Sequence, residues 1–389
     1  MHQSSELGNC ACYTIGATWH HLLHLMPYVR ASGMPVYLIG VEEDYVHHLR
    51  GDHPGVEMIR VTTAQQAAQM LSRHDILYSS NFYNSFRQQI EPLLSRRPFM
   101  VRVNHGAGNK TSENRAWLSA AIKPFQVTIY CGHRDLDTIH AVGLIPEPAA
   151  KGTNPYFIQG NDGQLRMLIL EGNPRLQDYL NQQPPRDQLA KQWGVTGDRP
   201  VILFTPTYPA TRPDGSKEAS SLTLFMQLMD ELGPENFQVL IKLHPNLVEH
   251  DDLVAPLLAR FAPQATREDI FWNDYLTRMD LADLLICDHT ATVSEFLFFD
   301  KPIVFLDPAG ACPSPVQVPM NNRYWSYQWG EVVSPHNRPQ WKAAVERSLT
   351  LDDYRPVRHR MKDYLFANDF TPHQIMAKVA EFIRSLRPL

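Results

Sequence analysis

Long hydrophobic runs are missing from this sequence. No apolar stretch approaches the ~18 residues needed to span a bilayer, so no membrane-crossing helix is expected. Lys/Arg-rich tracts are absent too, and the net charge is −5, which leaves no electrostatic footprint for nucleic acid. No basic segment followed by an apolar one opens the chain. A cytoplasmic protein is expected, free or on the inner face of the cytoplasmic membrane. The five cysteines (Cys10, Cys12, Cys131, Cys287 and Cys312) are few and unpatterned. No second pair stands at zinc spacing, so neither a disulfide framework nor a metal centre is expected, and a reducing compartment fits. No internal repeat and no low-complexity segment appears.

What is present is ordinary globular material: 389 residues, 43% hydrophobic and 20% charged, enough for two domains. Short apolar runs alternate with helix-period segments. Strands are expected at 10–15, 35–40, 75–78, 99–103, 126–130 and 167–170. Helices are expected at 17–31, 64–72 and 117–122. Residues 146–164, rich in Pro, Gly and Asn, read as loop. After a proline-containing connection with a helix at 186–193, a second series begins. Strands are expected at 201–205, 237–243, 270–272, 284–287 and 303–306. Helices are expected at 220–232, 253–261, 340–349 and 372–386. Strands separated by helices mean parallel βαβ units. The pattern predicts an α/β protein of two Rossmann-like domains, 1–185 and 186–389, facing across a cleft, with the last helix able to cross back.

The stretch 283–308, DLLICDHTATVSEFLFFDKPIVFLDP, organises the second half. It reads as strand, polar turn, short helix stopped by Asp300-Lys301-Pro302, and strand. Such a turn lies at the carboxyl edge of a parallel sheet, where open α/β sheets bind ligands. Thr290 and Thr292 offer hydroxyls, the helix start offers free N–H groups for phosphate, and Glu295 can accept from ribose hydroxyls. T-V-S-E also fits a capping box, so Thr292 and Glu295 carry a purely structural reading as well.

Four other strand ends bear polar side chains. VRVNHGAGNK (101–110) sets His105, a candidate base, and Lys110, a compact positive charge, around two glycines. LEGNPRLQDYL (170–180) carries Asn173 and Arg175. FTPTYPATR (204–212) presents Thr205, Thr207 and Tyr208, with Arg212 beyond. IKLHPN (241–246) places Lys242 and His244 two apart. Each alone is as readily an ordinary turn; together they are five chemically equipped strand ends in chain order.

In that order and spacing, HG-x-x-x-K, then the NPR loop, T-P-T-Y, K-x-HP and D-x-T-x-T-x-x-E before KP resemble the CDP-glycerol glycerophosphotransferase family, the teichoic-acid primases and polymerases. The resemblance runs from about Arg102 to Pro302. It implies a GT-B fold and an enzyme moving glycerol phosphate, or a related polyol phosphate, from a CDP-activated donor to an acceptor hydroxyl with release of CMP. His105 would be the general base. His244 and Thr290 would hold the diphosphate, assisted by Lys242 and the helix start after Asp288. Thr205, Thr207 and Thr292 would line the donor pocket, Glu295 would hold the ribose, and Asn173 and Arg175 would stand near the donor. Lys110 and Arg212 would meet phosphate or acceptor. No permanent cofactor and no metal is implied; positive side chains and a helix end take that work. The partners implied are the nucleotide-activated donor and a polyol-phosphate or glycan acceptor, which a lipid link would bring to the membrane surface. The sequence departs from the family pattern at Ala291, Pro209 and Asn104, so another CDP-alditol fits as donor. Periodicity also permits a GT-B glycosyltransferase, a 2-epimerase using a UDP-sugar, or a non-catalytic nucleotide-binding protein.

Overall fold

A computed structural model describes residues 9–80, 83–104, 122–145, 154–159, 163–208, 220–244, 246–247, 251–266, 269–270, 275–313, 318, 322, 324–367 and 369–386. The chain divides into two units. Described residues before 182 join Tyr364–Leu389 in the first, and Gln182–Asp363 form the second.

The first unit is built on an eight-stranded sheet. In chain order its strands are β1 (Cys10–Ile15), β2 (Val36–Ile39), β3 (Met58–Val61), β4 (Ile76–Ser79), β5 (Phe99–Val103), β6 (Val127–Tyr130), β7 (Tyr156–Gln159) and β8 (Leu165–Leu170). They lie side by side as β3-β2-β1-β4-β5-β6-β8-β7. All pair in parallel except β7, which runs antiparallel to β8. Reversal of the strand order between β1 and β4 marks a doubly wound sheet. Strands such as β2 and β6 are apolar or buried at every position, as a sheet covered on both faces requires.

The second unit holds five parallel strands: β9 (Val201–Thr205), β10 (Gln238–Ile241), β11 (Leu284–Cys287), β12 (Ile303–Leu306) and β13 (Glu331–Val333). Their order is β10-β9-β11-β12-β13, so the winding direction changes between β9 and β11. Helix Ser221–Leu232 covers one face; the rings of Phe204 and Phe225 stack there at 3.9 Å and 4°. The core around them includes Ile202, Leu228, Ile286 and Val304. Dispersion between such close-packed side chains, added to their removal from water, holds helix to sheet.

The C-terminal segment belongs to the first unit for a local reason. Ala367 donates its N–H to the Cys131 carbonyl at 2.8 Å. A Cβ at Gly172, where φ is +87°, would stand 2.0 Å from the Ala367 carbonyl oxygen, so only a glycine lets the two backbones meet. Helix Pro372–Leu386 then packs against helix Met26–Ser32.

Several elements differ from expectation. The helix expected over 17–31 is a 3-10 segment, Gly16–His24, followed by helix Met26–Ser32. Pro27 sits in the first turn of the second piece, where a missing N–H costs nothing. The loop expected over 146–164 contains β7; β8 supplies its ladder, which local composition does not reveal. Ile270, expected in a brief strand, lies in a helical turn. Strand β13 and helix Arg355–Leu365 were not expected. The helix expected over 117–122 falls, except for Ile122, outside the described residues.

Candidate active site

The expected polar residues of the second half meet where its sheet changes winding direction. Cys287 at the end of β11 is in register with Thr205 at the end of β9, so the residues that follow face each other. The Thr207 N–H donates to both oxygens of Asp288, at 3.0 and 3.1 Å. The Ser221 hydroxyl donates to Asp288 Oδ2 at 2.7 Å. Asp288 is buried, and these charge-assisted bonds tie the β9 loop and the start of helix Ser221–Leu232 to the end of β11. Asp288 is therefore an anchor. The Thr205 hydroxyl, 2% exposed, has no hydrogen-bond partner among the described residues. A buried hydroxyl left unpaired is costly and marks a place where a ligand can supply the missing bond.

His244 follows the neighbouring strand β10. Its ring lies 4.7 Å from that of Tyr208, tilted 52°, and its Nδ1 accepts from the Asn246 N–H at 3.1 Å. A neutral ring so engaged carries its proton on Nε2, which makes that nitrogen a donor. Lys242 is half-buried, with Nζ donating to the Leu243 carbonyl at 3.0 Å.

On the far side of Asp288 the hydroxyls of Thr290 and Thr292 stand 3.2 Å apart. Helix Thr292–Phe296 begins with Ala291 as its cap and no side-chain capping bond; a 3-10 turn, Leu297–Phe299, extends it. The capping-box reading of T-V-S-E is thus not realised. Glu295 is buried and its carboxylate accepts from the Tyr275 hydroxyl. Thr205, Thr207, Asp288, Thr290, Thr292 and Glu295 gather along β9 and β11, with Lys242 and His244 on the next strand end.

Asn173 and Arg175 lie instead in the first unit, at the start of helix Pro174–Asn181. Both are buried. Asn173 Oδ1 accepts from the Leu176 N–H at 3.2 Å, a local cap. His105, Lys110 and Arg212 lie outside the described residues.

Sequence reasoning did not single out Ser221 or Tyr275, and it named Tyr208 for its hydroxyl, not for the ring that meets His244. Ser221 stands 67 positions from Asp288 and Tyr275 stands 20 from Glu295, and neither has a motif around it. Glu171 was also passed over, although a carboxylate closing an apolar strand is a signal in itself. Among the described residues no group of three or more His, Cys, Asp or Glu side chains is arranged to hold a metal ion, and no helix is long and apolar enough to cross a membrane.

Residues 159–309, from the end of β7 through β12, match the family model described as CDP-Glycerol:Poly(glycerophosphate) glycerophosphotransferase. Over this stretch, less than half of the chain, the sequence is similar to that family. The teichoic acid glycerol-phosphate primase of Bacillus spizizenii (strain ATCC 23059 / NRRL B-14472 / W23) is 28% identical over 141 residues, 34% of this chain and 32% of the primase. The match thus spans about a third of that relative's length. Among solved structures, the wall teichoic acid polymerase TagF matches 99% of this chain and 90% of its own, with a TM-score of 0.61 at 13% identity. Anabaena Alr3699/HepE in complex with UDP and glucose matches 97% of this chain and 100% of its own, with a TM-score of 0.52 at 12% identity. At such identities the likeness shows the fold, which is GT-B.

Proposed function

We propose that this protein is a transferase that moves glycerol phosphate, or a related polyol phosphate, from a CDP-activated donor to an acceptor hydroxyl, releasing CMP. The observation that carries the reading is the cluster at the β9–β11 winding change, coinciding with the stretch that matches the glycerophosphotransferase family. In this reading the nucleotide diphosphate lies over the ends of β9, β10 and β11. Thr205 and Thr207 line the nucleotide pocket. His244 Nε2–H and Thr290 donate to the diphosphate, and Lys242 adds positive charge nearby. Glu295, steadied by Tyr275, accepts from the ribose.

The reaction balances simply. The acceptor oxygen forms a bond to the phosphorus that carries glycerol, while His105 takes its proton. The bond from that phosphorus to the bridging oxygen breaks, and CMP leaves with the electron pair. Donors fixed in place before the reaction stabilise the redistributed charge without reorganising. The acceptor would be a polyol-phosphate or glycan chain of a surface polymer. A lipid-linked acceptor would bring the protein to the inner membrane face, and such peripheral contact is part of the proposal.

The test is incubation of the purified chain with CDP-glycerol and a glycerol-phosphate acceptor, with CMP measured. His244→Ala should lower CMP release about 10²–10³-fold, the usual effect of removing a transition-state donor. His105→Ala should abolish acceptor-dependent release while CDP still binds. Release of UDP from a UDP-sugar, with no CMP from CDP-glycerol, would replace this reading with a glycosyltransferase or epimerase. CDP binding with no turnover of any donor would leave a nucleotide-binding protein.

A further inference from the structure

A shallow, open pocket lies in the first unit, at the carboxyl ends of β5, β6 and β8; its space of about 260 Å³ includes the open solvent at its mouth. His24, Asn104, Tyr130, Glu171 and Asn173 supply its polar lining; Val103 and Ile129 supply apolar surface. Glu171 is 4% exposed, and its Oε1 has no hydrogen-bond partner among the described residues. The Tyr130 hydroxyl is also buried without one. Leaving such groups unpaired in the interior is expensive.

The backbone cannot easily swing this carboxyl elsewhere. Glu171 N–H donates to the Tyr130 carbonyl at 2.9 Å and Gly172 N–H to the Cys131 carbonyl at 2.8 Å. The Gly172 backbone is then wedged against Ala367. Burial drives the Glu171 carboxyl well above the usual carboxylate range, and the nearby Asp178 charge adds to this. A carboxyl that keeps its proton both donates and accepts, as an alcohol partner requires. Among the described residues no Lys or Arg lines the pocket, so it differs from the phosphate-suited strand ends of the second unit. Its apolar wall suits C–H groups.

We propose that this pocket binds the hydroxyl-bearing end of a polyol, with Glu171 exchanging hydrogen bonds with its terminal hydroxyls as a positioning residue. Asn104, in the pocket wall, immediately precedes His105 in the chain. Identifying the bound polyol as the acceptor rests on the transferase reading; polyol binding itself does not.

The experiment uses the whole chain, with glycerol and glycerol 3-phosphate as probes in saturation-transfer NMR. Wild type should transfer saturation to the polyol C–H protons. Glu171→Leu should reduce the signal about fivefold or more, and Glu171→Gln, which keeps a donor and an acceptor, should restore most of it. A free polyol source predicts signal with glycerol, and a phosphorylated chain end predicts stronger signal with glycerol 3-phosphate. No transfer in wild type overturns the proposal, as does equal transfer in wild type and Glu171→Leu. Should Glu171→Leu not fold, Asn104→Leu, which fills the same pocket, takes its place with the same expected loss. In turnover, Glu171→Leu should raise the acceptor KM about tenfold and leave the CDP-glycerol KM within about twofold; a rise in both equally overturns the acceptor role. Absence of CDP binding and of CMP release would sink the transferase reading alone, because the NMR result stands without it.

Discussion

Each unit of this protein places a buried carboxyl group just beyond a strand of its parallel sheet, and the two are treated in opposite ways. Asp288 in the second unit receives a backbone N–H and a serine hydroxyl, which turn it into a bracket between two loops. Glu171 in the first unit is as deeply buried, yet Oε1 receives no hydrogen bond within the described residues. The contrast separates two uses of one functional group. A satisfied carboxylate fixes a site's shape. An unsatisfied one keeps its bonding capacity for a ligand, and the rest of the unit must bear the cost.

The comparison breaks most visibly at Asp288. Asp288→Ala removes the acceptor for Thr207 and Ser221 together and should cost about 3 kcal/mol, since bonds to a charged group are worth about 1.5–3 kcal/mol each and do not add fully. Urea unfolding would show the lowered midpoint, and calorimetry should show weaker CDP binding. Unchanged stability would mean that the bracket holds nothing.

A smaller effect is expected beside Glu171. Gly172→Ala adds a Cβ 2.0 Å from the Ala367 oxygen at a positive φ, which should lower stability by about 2–3 kcal/mol. Gly143, also at positive φ but with open space around its Cβ position, is the control: Gly143→Ala should cost about 1 kcal/mol. Equal losses in thermal melts would show that the contact with Ala367 does not hold the turn.

The smallest effect at neutral pH and below is the titration of Glu171. Its folded pKa is raised by burial, so above about 4.5 the folded state holds a proton that the unfolded chain releases. Wild-type stability should therefore fall, relative to Glu171→Gln, as pH rises from that point until the folded group ionises. The slope is at most about 1.4 kcal/mol per pH unit. Glu171→Gln should match wild type near pH 4 and exceed it increasingly as pH rises above that point. Parallel stability curves would mean that the carboxyl finds a partner after all.

Periodicity and punctuation made much of this fold legible. Strands β1 and β5 and the helix Pro372–Leu386 fall where apolar spacing puts them, because a strand buried on both faces must be apolar throughout. Strand β7 was hidden for the converse reason. Tyr156 is buried but Phe157 is 58% exposed, and pairing with β8 rather than local composition makes it a strand. Helix Arg355–Leu365 is rich in Arg and Lys; Arg358 is buried, paired with the nearby Asp352, and donates to the distant Trp329 carbonyl, a contact that no helical hydrophobic stripe announces.

The sequence by itself determined the alternation of strands and helices, the polar loops at strand ends and the family resemblance they carry, because these depend on residue types at short spacing. The tertiary structure decided which polar groups are spent and which are spare. Thr207, Ser221 and Asp288 lie up to 81 positions apart, and the Glu171 turn is fixed by Ala367 near the other end of the chain. Hydrogen bonds and burial are properties of neighbours in space, and strand order, not distance along the chain, chooses those neighbours.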